Sequence, residues 1–468
     1  MGQSPRLPGA VTGADLAAGR GRLGQTRAVA QHLFLVLLLV LTIGSLLGQP
    51  AAQIPAPPPD DAKARAKAVR EFGKGGGSEI IPKLETYLAD PDLDVRREAV
   101  KVIVDIGTQR SLDPLIKATR DNDAEIQIRA TDGLVNFYVP GYVKTGLTAS
   151  LRRAGSSIKA KIVDSNDLVI DPYIQPRPEV AVALGRLASG GGSLEARANA
   201  ARAVGILRGR QALPDLVQAL RSKDSDVIYE ALVAIEKIRD PSAGPDIAFL
   251  LHDLKEKVQV TAIEATGLLA NRAAINELRD VLDRSRNMKV KRAALTAMAQ
   301  MPDPQLHGVY VTYLNHKDDG LREGAAEGLG RLKDSADIAE LDRAFSNENK
   351  TEPRLSVAFA LVDLGKRSMS EFDPLRYLLN NLNSSAYRGV AQAYLTELAR
   401  DPQVREALYP ALKEPSVTKY EKTGLAEALA ASGAEDAVSP LEALSQDPDT
   451  DVSQAGLRAV KNLRARLQ

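Results

Sequence analysis

With 468 residues the chain is too long for one globular core, so it is either several domains or an array that lengthens without enlarging its core. Ala, Leu, Val, Arg and Glu dominate, aromatics are 4% and Trp is absent, which suits many small, similar helix contacts better than a few large cores. The net charge is +1, and beyond residue 52 there remain 57 basic and 59 acidic residues, so no polyanionic partner is implied; zero Cys excludes disulfides, Cys-based zinc sites and thiol nucleophiles.

Residues 1–52 read as an export signal or N-terminal anchor. Arg6, Arg20, Arg22 and Arg27 face a single acid, Asp15, and an apolar run then extends from Leu33 to Leu47. At 15 residues that run is shorter than the ~20 a spanning helix needs, so a cleaved signal fits better than a permanent anchor. The implied location is the bacterial periplasm or cell envelope, with membrane contact through this segment only. Residues 53–77 form a spacer rich in Pro and Gly, with Pro55, Pro57, Pro58 and Pro59 extended, and a capping helix from Asp61 to Phe72.

A repeat then begins. One phase position opens every second helix: Val95, Ile126, Ala196, Val227, Val258, Val290, Leu321, Arg354, Tyr387, Tyr420 and Val452, spaced by 31 to 33 residues except for one interval of 70. Each unit has a short first helix, often with an early proline (Pro82, Pro114, Pro214, Pro245, Pro374, Pro440), where the first amides lack acceptors anyway. Turns such as Asp90–Asp94, Asp121–Asp123, Asp224–Asp226 and Asp447–Asp451 supply caps for an Ala-rich second helix. Its apolar residues fall at helical spacing, as in Val227, Ala231, Ala234, Ile235 and Ile238. The spacing predicts an all-α solenoid of about eleven helix pairs, two in residues 78–139 and nine in 179–468.

The long interval holds an insertion at 140–178 bounded by Pro140, Pro172, Pro176 and Pro178. The alternation Ser157–Val163, the turn Asp164–Asp167 and Leu168–Ile170 predict a β-hairpin. Its excess of basic residues makes Arg152, Arg153, Lys159, Lys161 and Arg177, with Tyr173, candidates for binding a protein partner. The same alternation also fits a hairpin that merely covers the groove between the second and third pairs, burying Ile158, Ile162, Val163 and Leu168.

The stretch Ala200–Arg208, followed by Ala212–Leu220 and a fresh helix at Asp226-Val227, resembles HEAT repeats, in particular the short variety of the phycobilisome lyase-like group. The resemblance covers about residues 78 to 468. It implies the solenoid fold, and it raises a lyase-like enzyme or enzyme subunit as an alternative function. Iron-dependent HEAT enzymes of the deoxyhypusine hydroxylase type use repeated His-Glu pairs. Here no His is followed by Glu and His252-Asp253 stands alone, so neither metal nor cofactor is expected. A base-binding HEAT protein would want a basic, aromatic face, so nucleic acid is not expected either.

Three other features admit a bland reading. Arg96, Arg129, Arg197, Arg292, Arg322 and Arg388 recur near the phase position, and a ladder pairing them with the Asp-rich turns of adjacent repeats fits better than a basic stripe. Tyr387 and Tyr420 at the phase position are expected in the core. Gly75–Gly77 and Gly190–Gly192 lack the Lys-Ser/Thr of a phosphate loop and read as turns. The reading of the whole is an exported, non-catalytic scaffold that binds a protein partner through a solenoid surface.

Overall fold

Asp92, Asp123, Asp224, Asp318 and Asp449 each stand just before a second helix and accept hydrogen bonds from its first free amides, as Asp92 does from Asp94 N at 3.0 Å. The computed structural model describes residues 61–142, 168–171 and 173–468. The N-terminal apolar run and most of the predicted hairpin lie outside them. No strand occurs among the described residues, and none of their helices is long and apolar enough to cross a membrane.

Eleven helix pairs follow a leading helix, Ala62–Gly75, which packs on the second helix of the first pair. The second helices are α1 (Leu93–Ile106), α2 (Ala124–Tyr138), α3 (Leu194–Ile206), α4 (Ser225–Ile238), α5 (Glu256–Leu268) and α6 (Met288–Ala299). They continue with α7 (Asp319–Leu332), α8 (Thr351–Asp363), α9 (Arg388–Leu398), α10 (Lys419–Ser432) and α11 (Thr450–Leu467). The first helices are mostly shorter, such as Leu213–Ala219, and many open through a 3₁₀ turn. All six early prolines fall within the first three residues of a first helix.

The core is a continuous seam of small and medium side chains, for example Val95, Ala99 and Ile103 on α1 and Val227, Ala231 and Ile235 on α4, all shut off from solvent. A seam of this kind grows by addition, so no single large core is needed. Second helices pack directly on one another along the array, while neighbouring first helices mostly touch less, the exception being Pro178–Gly190 against Leu213–Ala219. Glycines set the tightest of these contacts. A Cβ at Gly205 on α3 would stand 2.9 Å from Ala234 Cα on α4, one at Gly267 on α5 2.7 Å from Ala297 Cα on α6, and one at Gly330 on α7 2.6 Å from Ala360 Cα on α8.

The phase position changes late in the array. Val95 to Leu321 are buried as expected, but on α8 Leu355 takes the buried place beside Arg354, and Tyr387 is only half-buried. Tyr420 is 48% exposed, with the Arg388 guanidinium 4.8 Å from its ring centre. The expectation of a core tyrosine there is corrected. Relative to the phase position helix α10 starts one residue later than the regular repeats, so Glu421, Gly424 and Leu425 carry the buried stripe and Tyr420 turns outward.

The arginine ladder exists in part. Arg96 reaches Asp121 at 2.8 Å, Arg292 reaches Asp318 at 2.6 Å and Arg322 reaches Glu348 at 2.8 Å, each bridging to the turn of the next repeat. Arg65–Asp90 and Lys422–Asp447 extend the same pattern at 2.7 and 2.9 Å. Arg129 instead pairs with Glu125 on its own helix, and the turn that follows in the array, Gly190–Ser193, carries no carboxylate. Arg197 and Arg388 donate to carbonyls of Ala188 and Leu382.

Candidate functional site: the face of the second helices

The described ends of the insertion lie on the second helices of pairs two to four. Ile170 N–H donates to Ile206 O at 3.0 Å and the Lys237 ammonium donates to Leu168 O at 3.2 Å, so this extended segment is fixed to the ends of α3 and α4. Ile170 is buried, and Leu168 and Ile174 pack against the core. A polar cluster lies on the same helices. Arg202 on α3 donates to both oxygens of Glu230 on α4, at 2.8 and 3.2 Å, and Asn199 donates to Asp132 on α2 at 3.1 Å. Burial works against the Arg202 charge, but Glu230 outweighs it and holds the guanidinium protonated. Tyr142 lies against Arg202, and burial pushes its phenol well above the usual range.

Of the residues expected to bind a partner, Arg152, Arg153, Lys159 and Lys161 lie outside the described residues. Arg177 is engaged internally: its guanidinium donates to Asp113 at 2.8 Å and to Glu179 at 3.4 Å, and its backbone N–H donates to Tyr138 Oη at 3.0 Å. Tyr173 faces the far end of the array. The Lys461 ammonium of α11 sits 3.5 Å from its ring centre, and the two residues share a groove of about 710 Å³ with Glu442, Gln446, Leu457 and Arg464. Sequence spacing gives no hint of this contact, because the two residues lie nine pairs apart.

A second polar network ties α7, α8 and α9. Arg331 donates to both oxygens of Glu397, at 2.7 and 2.8 Å, and to Glu327 at 2.7 Å. Tyr394 Oη donates to Glu327 at 2.6 Å and lies 2.7 Å from Ser356 Oγ. Burial opposes the Arg331 charge, yet the two carboxylates hold it above its ordinary value, while Arg331 overcomes burial to keep Glu397 below its own. The ring of Phe359 lies between, stacked on Tyr394 at 4.8 Å and under Arg331 at 4.7 Å. Every charge in this set has a partner, so it rigidifies the face and offers little to a ligand.

Elsewhere on the same face, carboxylates stand without a hydrogen-bonded cation. Burial and the nearby Glu264 push the Glu236 carboxyl up to about 8. Burial, with Glu352, Glu327 and Asp319, pushes Glu323 up to about 7. Crowding by neighbouring side chains that thins their solvation also raises Glu264 and Glu427, although both side chains are exposed. At about 8 and about 7, Glu236 and Glu323 resist ionising near neutral pH until a cation arrives. Sequence reasoning missed them because a Glu at a helix surface normally reads as a solvated residue.

One cluster could hold a metal. Ligand atoms of His307, Asp334 and Asp337 lie within 4.8 Å of one another, and His307 Nε2 is 3.0 Å from Asp337 Oδ1. An imidazole with two carboxylates suits a borderline divalent cation such as Zn²⁺ or Mn²⁺. The residues come from consecutive repeats, so a search for His-Glu pairs along the chain cannot find them.

These features define a helical-repeat protein, and the chain belongs to the HEAT repeats family, which matches residues 58–135, 181–267 and 275–362, more than half of the sequence. Among curated proteins it is similar to phycocyanobilin lyase subunit alpha of Nostoc sp. (strain PCC 7120), 31% identical over 154 residues; that stretch is 30% of this chain and spans 55% of the length of the relative. Among solved structures it is similar to an engineered protein, at 20% identity and TM-score 0.35, covering 82% of this chain and 98% of the other. It is also similar to the complex of CpcE and CpcF of phycocyanin lyase from Nostoc sp. PCC7120, at 20% identity and TM-score 0.30, covering 64% of this chain and 92% of the other.

Proposed function

We propose that the chain is an exported, non-catalytic scaffold that holds a protein partner on the face of its second helices. The observation that carries this reading is the set of carboxylates at Glu236, Glu264, Glu323 and Glu427, kept above their ordinary range on α4, α5, α7 and α10. Glu236 and Glu323, partly buried without a hydrogen-bonded cation, cost stability when ionised, and a partner that brings cations offsets that cost on binding. The basic residues of the insertion, Arg152, Arg153, Lys159 and Lys161, are the second candidate contact, suited to an acidic patch on the same partner. Export rests on the order of basic then apolar residues in 1–52.

The test is capture from a native cell envelope with the purified chain as bait, read by mass spectrometry at low and moderate salt. The reading expects a protein that is retained by the wild type, is lost with Glu323→Lys/Glu427→Lys, and is kept with Asp246→Lys on a first helix. Equal retention by all three baits would sink it. A cytosolic protein that keeps Met1 would remove the export part.

The resemblance to a lyase subunit favours a second reading, an enzyme or enzyme subunit of lyase type. It expects the purified chain to bind phycocyanobilin or a related open-chain tetrapyrrole, visible as an absorbance shift. No shift on mixing would remove it.

A further inference from the structure

Along α3 to α7 the repeat has a register in which all but one of the residues are small. Nine positions after the phase residue stand Gly205 on α3, Gly267 on α5, Ala299 on α6 and Gly330 on α7. The three glycines let the next second helix approach to backbone contact, with ideal Cβ positions 2.6 to 2.9 Å from a neighbouring Cα. On α4 the same register holds Glu236. Accordingly α4 meets α5 less closely than α3 meets α4 or α5 meets α6. A charged side chain has replaced the residue that would close this junction.

The surroundings of that side chain do not neutralise it. Glu236 Oε1 is shut off from solvent and has no hydrogen-bond partner. Glu264, on α5, is a second acid that repels it. The charges that favour its ionised form are Lys237 and Arg239, at the end of its own helix. The Lys237 ammonium is held by the carbonyl of Leu168, and Arg239, at φ +56° in the left-handed region, is exposed. Two acids on neighbouring helices with a buried, unpartnered oxygen between solvent and core form a receptor for one positive charge.

We propose that Glu236 and Glu264 form the subsite that receives one cationic side chain, a lysine ammonium or an arginine guanidinium, from the protein bound on the second-helix face. The proposal rests on the scaffold reading above and adds where the partner's cation goes. An ammonium supplies three donors and a guanidinium five, so either can pair with both carboxylates once the partly buried Glu236 side chain turns to meet it. Between α3 and α7 this register of small residues is broken only at Glu236. The competing occupant is a proton held by Glu236, which needs no partner.

The probe is a fluorescently labelled acetyl-tetralysine amide, titrated with the full chain and read by anisotropy at about pH 8.5 and ~50 mM salt, where surface attraction is only partly screened. The wild type should bind at least ~10-fold more tightly than Glu236→Gln/Glu264→Gln, and an equally neutralised control at exposed acids, Asp246→Asn/Glu371→Gln, should stay within about 2-fold of wild type. Gln keeps the shape of Glu, and both variants should melt cooperatively; Glu264→Gln alone, at an exposed side chain, repeats the measurement if the double variant does not fold. Equal binding by wild type and the Glu236/Glu264 variant, or an equal loss in the control, overturns the proposal and leaves only a proton or diffuse charge at the pair. The two readings fail separately. A native partner captured alike by wild type and Glu236→Gln/Glu264→Gln removes the subsite and leaves the scaffold, whereas a wild type that captures nothing removes the scaffold while the peptide titration still decides the subsite.

Discussion

The same helical layer treats charge in opposite ways at two places. Across α7 to α9, Arg331 is gripped by Glu327 and Glu397 and Tyr394 completes the set, so a buried cation binds three helices together. Between α4 and α5, Glu236 and Glu264 have no such cation. Both stretches obey one repeat grammar, so the difference lies in the residue placed at a given register. A closed network spends its charges on holding the array, and an open one keeps them for something else.

The sharpest way to break this contrast is to open the closed network. Arg331→Met strips the cation from Glu327 and Glu397 and leaves both carboxylates facing each other in a mostly buried place. Breaking a buried pair in this way typically costs about 3–5 kcal/mol, and the variant should melt well below wild type. Adding Glu397→Gln and Glu327→Gln should recover most of the loss. A melting point within error of wild type for Arg331→Met alone would show that the network is not structural.

The ladder between repeats should matter less. Arg96→Ala removes a part-buried pair with Asp121 and two carbonyl contacts in the turn at Asp90 and Pro91, and should cost about 1–2 kcal/mol in chemical denaturation. The corresponding change at Arg129, whose partner is on its own helix, should cost about 0.5 kcal/mol. Equal losses at the two positions would mean that bridging to the next turn adds nothing.

Another small effect has the opposite sign. Ala270 follows α5 at φ +52°, a left-handed conformation that costs a side-chain-bearing residue energy. Gly107 and Gly365 fill similar helix ends with glycine. Ala270→Gly should therefore stabilise by about 0.5–1 kcal/mol, read as a higher denaturation midpoint with an unchanged slope.

Much of the fold was legible because the repeat writes its structure locally. Acidic residues in the turns cap the helices that follow, early prolines sit where helices start, and the phase residues from Val95 to Leu321 are buried. Tyr420 was misplaced because a one-residue shift of a helix start rotates a side chain from core to solvent, and spacing in the sequence does not resolve one residue. The site was far less legible. Arg331 and Glu397 are separated by two repeats, and Tyr173 and Lys461 by nearly the whole array, so their meeting depends on packing beyond the repeat. Glu236 left one trace in the sequence: it interrupts a column of small residues at Gly205, Gly267, Ala299 and Gly330, which becomes informative once the column is known to be a contact.

If this face carries carboxylates that the fold leaves uncompensated, thermal melting against pH will show it. Glu236 is raised to about 8 by burial and Glu264 against the pull of Lys237 and Arg239, and Glu323 to about 7 by burial, Glu352, Glu327 and Asp319 against Arg292; the ordinary value for both is 4.5. A carboxyl whose folded value is raised binds its proton more tightly folded than unfolded. Its contribution is complete below about 4.5 and is lost as pH rises to about 8. Wild type should therefore lose stability across that window relative to Glu236→Gln/Glu323→Gln, by on the order of 2 kcal/mol after solvent screening. The double variant should equal or exceed wild type at the alkaline end. Parallel curves for the two proteins from acid to alkali would show that both carboxylates are already compensated in the fold and that the face holds no open charge.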